Sequence, residues 1–141
     1  MGDKEKFEGF KQQLIADNEQ QYGEEIREKY GNNTVNTANE KVRAMSPELW
    51  QQAQDLSTSI NALLVEAMSQ HDPTSDVARK LCQTHREWLC LFWPEGTFSP
   101  EAHCGLADMY VQDARFKQHY DKIADGAAEF LRDAIHAYWQ M

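Results

Sequence analysis

The chain has 141 residues, 41% of them hydrophobic and 26% charged, and a formal net charge of −9. This length and composition predict one globular domain, residues 1–141, and exclude a disordered chain. The acidic balance excludes a free-standing nucleic-acid binder, because phosphate neutralisation needs a basic surface. No apolar run approaches the roughly 18 residues of a membrane span and no secretion signal opens the chain, so we expect a cytoplasmic protein with reduced cysteines.

The first third of the chain, residues 1–45, predicts short and polar helices. Apolar residues recur at helical spacing near 3–18, 20–30 and 34–45, and Gly31 is expected to stop the second helix in the left-handed conformation. Helices this short, with few apolar contacts, are marginal in water on their own, so we expect them to form a mobile lid. The apolar face expected of the first helix comprises Phe7, Phe10, Leu14 and Ile15.

The remaining residues, 46–141, predict a sturdier helical core. Ser46 and Ser99 each place a capping side chain just before a proline at the first helical position. No segment alternates with period two for long enough to form a strand, so the expected fold class is all-α, with about seven to eight helices. The helices expected here cover residues 47–69, 76–92, 100–111, 114–123 and 125–138.

Cysteine and histidine residues of the core could form a metal site or a catalytic pair, but their spacing disfavours both. Cys82 and His85 lie three residues apart on one helix, yet no second paired motif accompanies them, so no metal is expected. His103 and Cys104 are adjacent, and adjacent helical side chains point about 100° apart. We therefore expect neither an enzyme nor a cofactor. His85 is either a hydrogen-bonded core residue or a donor that lines a cavity.

Large aromatic side chains are frequent, and they either build a large core or partly line a cavity for an apolar ligand. The acidic stretch 46–76 contains no lysine or arginine and is interpreted as a solvated face. If it faced the cavity instead, it would favour cationic ligands. The large rings are Trp50, Trp88, Phe92, Trp93, Phe98, Tyr110, Phe116, Tyr120 and Trp139.

Six runs of sequence carry a family resemblance. They are QYGEEIREKYG (21–31), HREW (85–88), HCGLADMYV (103–111), DARF (113–116), YDKI (120–123) and GAAEFLRDAI (126–135). Together they resemble the TipAS antibiotic-recognition domain, the C-terminal drug-binding domain of a class of MerR-type transcriptional activators. The resemblance covers most of the chain and is most specific over residues 103–135.

The resemblance implies an all-helical, globin-like fold with a deep ligand cleft and N-terminal helices that order on binding. It implies non-enzymatic binding of antibiotics or other bulky aromatic xenobiotics, in a MerR-type regulator or in a stand-alone drug-sequestering form. Contact with DNA is expected only through a separate winged-helix half. The ligand-binding residues expected from the motifs are Trp88, His103 and Tyr110, and those expected from amphipathic position are His85, Trp93, Phe116, Tyr22 and Tyr30.

The resemblance also bears on the mode of binding, and the sequence leaves one alternative function. Some members of the family capture thiopeptides covalently through a cysteine on the helix that carries the Met-Tyr-Val run. The corresponding position here is Gly105, with Cys104 one residue away and turned by about 100°, so we expect non-covalent binding. The alternative is a protein–protein interaction module in which the N-terminal amphipathic helices dock into a partner's groove.

Overall fold

Helices form every regular element of residues 3–94 and 96–140, the residues that the computed structural model describes, without the side chains of residues 3, 4, 21, 26, 29 and 30. The expected all-α fold class is therefore confirmed. Within the described ranges, no helix has the length and apolar character needed to cross a bilayer. The helices are α1 (Asp3–Asn18), α2 (Glu24–Tyr30), α3 (Asn32–Arg43), α4 (Pro47–Ser69), α5 (Asp76–Phe92), α6 (Pro100–Gln112), α7 (Ala114–Asp121) and α8 (Ala127–Trp139).

The serine caps expected from the sequence define where the core helices begin. The Ser46 hydroxyl accepts a hydrogen bond from the Leu49 amide at 3.1 Å, and the Ser99 hydroxyl accepts one from the Ala102 amide at 3.0 Å. The predicted bounds of α4 and α5 are confirmed. Helix α7 ends two residues earlier than predicted, at Asp121, whose carboxylate accepts from the amide of Ala128 at the start of α8.

Two pairs of helices enclose the hydrophobic core. Helix α4 packs along α5, and α6 packs along α8, while α7 closes one side. Small side chains at the crossings let the helices approach closely, and larger aliphatic side chains fill the space between them. The core includes the fully buried Leu64, Ala67, Ala78, Leu81, Ala107, Ala127, Ala128, Leu131 and Ile135.

The first two predicted helices, near 3–18 and 20–30, are joined without a break in the structure. Asn18 and Gly23 keep right-handed helical dihedrals, and Glu19–Gly23 forms a π-helical turn that joins α1 to α2. The Glu19 carboxylate accepts hydrogen bonds from Arg27 at 3.1 Å and from the Asn39 amide at 2.9 Å. These contacts reach across eight and twenty residues, so they hold the wider turn through tertiary structure.

The apolar face predicted for α1 is also partly wrong. Phe10 is 66% exposed, whereas the adjacent Lys11 is only 1% exposed. The Lys11 ammonium group donates to the carbonyls of Arg43 at 2.6 Å and Met45 at 2.9 Å. Carbonyls at the end of a helix lack partners within that helix, and a buried ammonium group needs acceptors. The hydrogen bonds from Lys11 therefore satisfy both its own charge and the carbonyls after α3.

Two glycines at helix ends adopt conformations that other residues avoid. Gly31 separates α2 from α3 at φ 88° and ψ 154°, a region that is almost exclusive to glycine, rather than in the predicted left-handed conformation. Gly126 precedes α8 at φ 82° and ψ 8°, which is left-handed. Both positions therefore depend on glycine for their backbone geometry.

Substitution of Gly126 by alanine is expected to destabilise the core. The left-handed conformation costs an alanine about 1 to 2 kcal/mol, so Gly126→Ala should lower the free energy of unfolding by that amount. The matched control is Gly105→Ala on α6, where nothing lies within 4 Å of the added carbon and the helix should gain about 0.5 to 1 kcal/mol. Urea denaturation measures both, and equal effects of the two variants would contradict the prediction.

Candidate ligand site

A cavity of about 50 Å³ lies between α4, α5 and α7. A cavity of this size holds a water molecule or two, whereas sites for drug-sized ligands occupy roughly 300 to 1,000 Å³. A bulky ligand therefore needs the surrounding helices to separate. The cavity is lined by Ser57, Ile60, Asn61, His85, Trp88, His119 and Tyr120, none of which is an acidic or basic side chain other than histidine.

Two predicted ligand-binding residues, His85 and Trp88, line this cavity from the same face of α5. They are three residues apart, which brings their ring centroids to 5.8 Å on one face of the helix. Trp88 is half-buried and packs against the core, while His85 is fully buried. Trp88 thus combines a core contact with a surface that faces the cavity.

The predicted aromatic residues continue from the cavity to the N-terminal helices. The Tyr110 ring lies 5.9 Å from His85 and 5.7 Å from Phe116, and Phe116 stacks on Tyr22 at 5.4 Å. Trp93 belongs to a neighbouring group, 5.9 Å from Phe98. The side chain of the last predicted residue, Tyr30, is outside the described part of the structure. We call the connected group the ring series; it consists of Trp88, His85, Tyr110, Phe116 and Tyr22.

A chain of hydrogen bonds lies behind the cavity wall. The Trp139 indole donates to Nδ1 of His103 at 2.9 Å, and Nε2 of His103 lies 2.9 Å from Nδ1 of His85. Nε2 of His85 is in turn 3.2 Å from the Tyr110 hydroxyl. His103 is fully buried and does not line the cavity. All four ring nitrogens of the two histidines therefore have partners within the protein.

Burial keeps both histidines neutral near pH 7. Desolvation, together with neighbouring His103, lowers the pKa of His85 to about 3. Desolvation and the nearby Arg86 charge lower the pKa of His103 to about 4. Neither ring is poised to exchange a proton near neutral pH, because catalytic acids and bases work best with a pKa close to the operating pH.

The environment of the two buried cysteines, Cys82 and Cys104, disfavours covalent chemistry. Burial, with Cys104 nearby, raises the pKa of the Cys82 thiol to about 12. Burial is also the main cause that raises the pKa of Cys104, and Asp108 and Glu101 add to it. Because the thiolate is the reactive form, Cys104 is a poor nucleophile. The described residues contain no group of three or more histidine, cysteine, aspartate or glutamate side chains that could hold a metal ion.

Arg115 connects the N-terminal helices to the core. Its guanidinium lies 4.6 Å from the centroid of the Tyr22 ring and donates to Glu25 at 2.6 Å. It also donates to Asp113, which caps α7, and this pairing lowers the pKa of Asp113 to about 2. A second connection is Lys41, which donates to main-chain carbonyls at the end of α5. Both connections are polar and partly exposed.

The sequence interpretation did not assign Trp139 or Tyr120 to the site. Trp139 bonds to a histidine 36 residues away, and Tyr120 forms part of the cavity wall. One signal was available: inward histidines need hydrogen-bond partners, so an aromatic donor elsewhere in the core was to be expected. The sequence alone offers several such donors and does not distinguish among them.

The model of the TipAS antibiotic-recognition domain matches residues 22–138. The chain belongs to this family. One relative is the HTH-type transcriptional activator TipA of Streptomyces coelicolor, 33% identical over 119 residues, which are 83% of this chain and 46% of the relative. Another is the HTH-type transcriptional activator mta of Bacillus subtilis, 25% identical over 138 residues, 98% of this chain and 52% of the relative. This TipAS chain thus spans about half the length of these curated relatives.

A solved structure has the same TipAS fold. It is TipAS with nosiheptide, from a thiopeptide antibiotic multidrug resistance system of Streptomyces lividans. The TM-score is 0.72 and the sequence identity is 31%, with 86% of this chain and 85% of that chain covered. The likeness therefore extends over most of both chains.

Proposed function

We propose that this TipAS domain binds bulky heterocyclic antibiotics of the thiopeptide class without modifying them. The observation that carries the proposal is the likeness in fold and sequence to the TipAS chain solved with nosiheptide. Non-enzymatic binding is supported by the neutral histidines, whose ring nitrogens are engaged, and by the raised pKa of Cys104. The ligand is then held by contacts alone.

The ring series supplies the binding surface in this proposal. Trp88 lines the cavity, and Tyr22 with Phe116 lies where the N-terminal helices contact α7. The ligand enters when these helices separate from α7, which breaks the exposed polar contact between Arg115 and Glu25. His103 acts indirectly, since it is buried behind His85. Residues 1–141 then work as one unit, with residues 1–45 as a lid over 46–141.

The relatives indicate the setting in which such a domain works. They are transcriptional activators about twice as long as this chain. The chain therefore acts in the cytoplasm, either as the effector-binding part of a MerR-type regulator or as a stand-alone form that sequesters a drug. Contact with DNA belongs to a separate winged-helix half, because the chain itself carries a net charge of −9.

Calorimetric titration with nosiheptide tests the proposal. Trp88→Ala should weaken binding by about 1 to 3 kcal/mol, the usual effect of losing an aromatic anchor. Phe130→Ala is the matched control, because Phe130 is a half-buried ring that packs on the core and does not line the cavity. It should lower the melting temperature without changing the affinity. Absence of binding by the unsubstituted chain would refute the proposal.

Intact-mass spectrometry tests the non-covalent part. After incubation with nosiheptide and denaturation, the protein mass should be unchanged, since burial keeps Cys104 protonated. A mass increase equal to one ligand would contradict non-covalent binding. Loss of that increase in Cys104→Ser would then assign the attachment to Cys104.

A further inference from the structure

The Tyr22 ring lies against two neighbouring side chains of α7. It stacks on the Phe116 ring, with the centroids 5.4 Å apart and the planes inclined by 19°, and the Arg115 guanidinium lies over it, 4.6 Å from its centroid. Three residues further along the chain, the Glu25 carboxylate accepts a hydrogen bond from the same guanidinium at 2.6 Å. Residues 22–25 therefore offer α7 a planar aromatic ring together with a carboxylate oxygen.

Contacts within the core hold the α7 side of this arrangement. The Asp113 carboxylate accepts from Arg115 through both oxygens, from Nε at 3.0 Å and from Nη2 at 2.6 Å. A two-point contact of this kind fixes the plane of the guanidinium, and because its hydrogen bonds lie in that plane its faces remain available for stacking. The Phe116 ring in turn lies 5.7 Å from the core residue Tyr110. Arg115 and Phe116, which we call the stacking site, should therefore keep their positions when the N-terminal helices leave.

The N-terminal side of the contact is held less firmly. The Glu25 side chain is 65% exposed, and an ion pair between exposed groups contributes little to stability. Tyr22 is only half-buried. Because Tyr22 and Glu25 are three residues apart on one helical segment, both leave the stacking site when that segment moves away from α7.

The stacking site adjoins the cavity along α7. Phe116 and Tyr120 are four residues apart, which puts them on the same face of the helix about 6 Å apart along its axis, and Tyr120 lines the cavity. The Tyr110 ring contacts both, at 5.7 Å and 4.7 Å between centroids. A ligand that enters between the N-terminal helices and α7 therefore meets the stacking site within about one helical turn of the cavity.

We propose that the stacking site is a binding subsite for a planar aromatic ring with a carboxylate or carbonyl oxygen at its edge, and that Tyr22 and Glu25 fill it in the ligand-free protein. The ring of the ligand replaces Tyr22 on Phe116 and Arg115, and its oxygen replaces Glu25 as an acceptor of the guanidinium. Within the ring series, Phe116 then contacts the ligand and Tyr22 is the ring that makes way for it. Occupation of this subsite by a thiopeptide rests on the proposed function, whereas its occupation by Tyr22 is a property of the ligand-free protein.

Binding of 2-naphthoate to the Tyr22→Ala variant tests the subsite. This probe has a planar ring and a carboxylate, and the shifts of amide resonances in NMR measure its affinity. Tyr22→Ala should bind it about 10-fold more tightly than the unsubstituted chain does, because the probe no longer competes with the intramolecular ring. Cyclohexanecarboxylate lacks the planar ring and 2-naphthylmethylamine carries a cation instead of the carboxylate, so both should bind the variant far more weakly. No binding of 2-naphthoate to the variant, equal affinity for the variant and the unsubstituted chain, or equal affinity of the variant for all three compounds would overturn the proposal.

Two further variants separate the subsite from a general loosening of the N-terminal helices. Phe7→Ala removes a ring of α1 that contacts Trp50, 5.9 Å away, and leaves Tyr22 in place, so it should not raise the affinity for 2-naphthoate. Adding Arg115→Gln to Tyr22→Ala should abolish the gain, because the guanidinium is then absent. An equal gain in Phe7→Ala, or a gain that survives Arg115→Gln, would also overturn the proposal.

The rate of nosiheptide binding, followed by stopped-flow tryptophan fluorescence, tests the exchange with the proposed ligand. Because the unsubstituted chain first has to release Tyr22 from the stacking site, Tyr22→Ala should associate about 10-fold faster, and Phe7→Ala should not match it. Slower or equal association in Tyr22→Ala would overturn the exchange while the proposed function stands. Absence of nosiheptide binding by the unsubstituted chain would overturn the proposed function, whereas the 2-naphthoate experiment still decides the subsite.

Discussion

Saturating nosiheptide should raise the hydrogen-exchange protection of amides in α1, α2 and α3 by about 100-fold or more. Few apolar side chains of these helices are buried: among those that the structure describes, they are Ile15 and Val35. Because most of the stability of a protein helix comes from packing of its apolar face, their free energy of local opening should be low. A ligand packed beneath them adds apolar contact and raises that free energy, which slows exchange.

The last helix provides the internal control for the exchange experiment. Amides around Leu131 in α8 belong to the core and should change far less when the ligand binds. Mass spectrometry of peptides from residues 3–43 and 127–139, with and without nosiheptide, gives both values in one experiment. If the first 43 residues are already as protected as α8 in the free protein, the lid is preformed and this prediction fails.

Acidification from pH 7 to pH 5 should lower the free energy of unfolding by about 4 kcal/mol. The unfolded state binds protons at an ordinary histidine pKa near 6.5, whereas the folded state holds His85 near 3 and His103 near 4. Between these values the unfolded state binds more protons, so stability falls as the pH falls. Each histidine contributes about 2 kcal/mol of this loss, which is large against a typical total of 5 to 15 kcal/mol.

Two histidine variants separate this effect from general acid sensitivity. His103→Gln removes one titrating group and should reduce the loss between pH 7 and pH 5 by about half. His119→Gln, at an exposed position, should leave the loss unchanged. The Asp113 carboxylate, with its pKa lowered to about 2, affects stability only at lower pH. Urea denaturation at pH 7 and pH 5 measures the loss of unfolding free energy. An equal loss in the unsubstituted chain and in both variants would show that the buried histidines are not its source.

Local signals in the sequence predicted much of the fold. The serine and proline pairs at Ser46 and Ser99 set the start of α4 and α6, since capping depends on residues within one turn. The face of α1 could not be predicted in the same way. Lys11 is buried because its acceptors lie on residues 32 and 34 positions away, and hydrophobicity alone assigns a lysine to the surface. The π-helical turn likewise depends on Asn39, on another helix.

The candidate site was only partly predictable for a related reason. Helical spacing brought His85 and Trp88 to one face, and the structure then connects them to Tyr110, Phe116 and Tyr22. Spacing carries no information about which side chains meet across helices. Trp139 has no local pattern that points to its acceptor on His103.

The buried Lys11 gives the N-terminal segment a mechanical property. Its ammonium group ties α1 to the carbonyls of Arg43 and Met45, so α1 cannot swing away alone without leaving those groups unpaired. Lys41 attaches α3 to the end of α5 through the carbonyls of Cys90 and Trp93. Helices α1 and α3 should therefore move together as one rigid body, with the hinge near Lys41. Opening would then be cooperative: amides throughout both helices would exchange with the same free energy of opening, and α1 would not fray from its N-terminus.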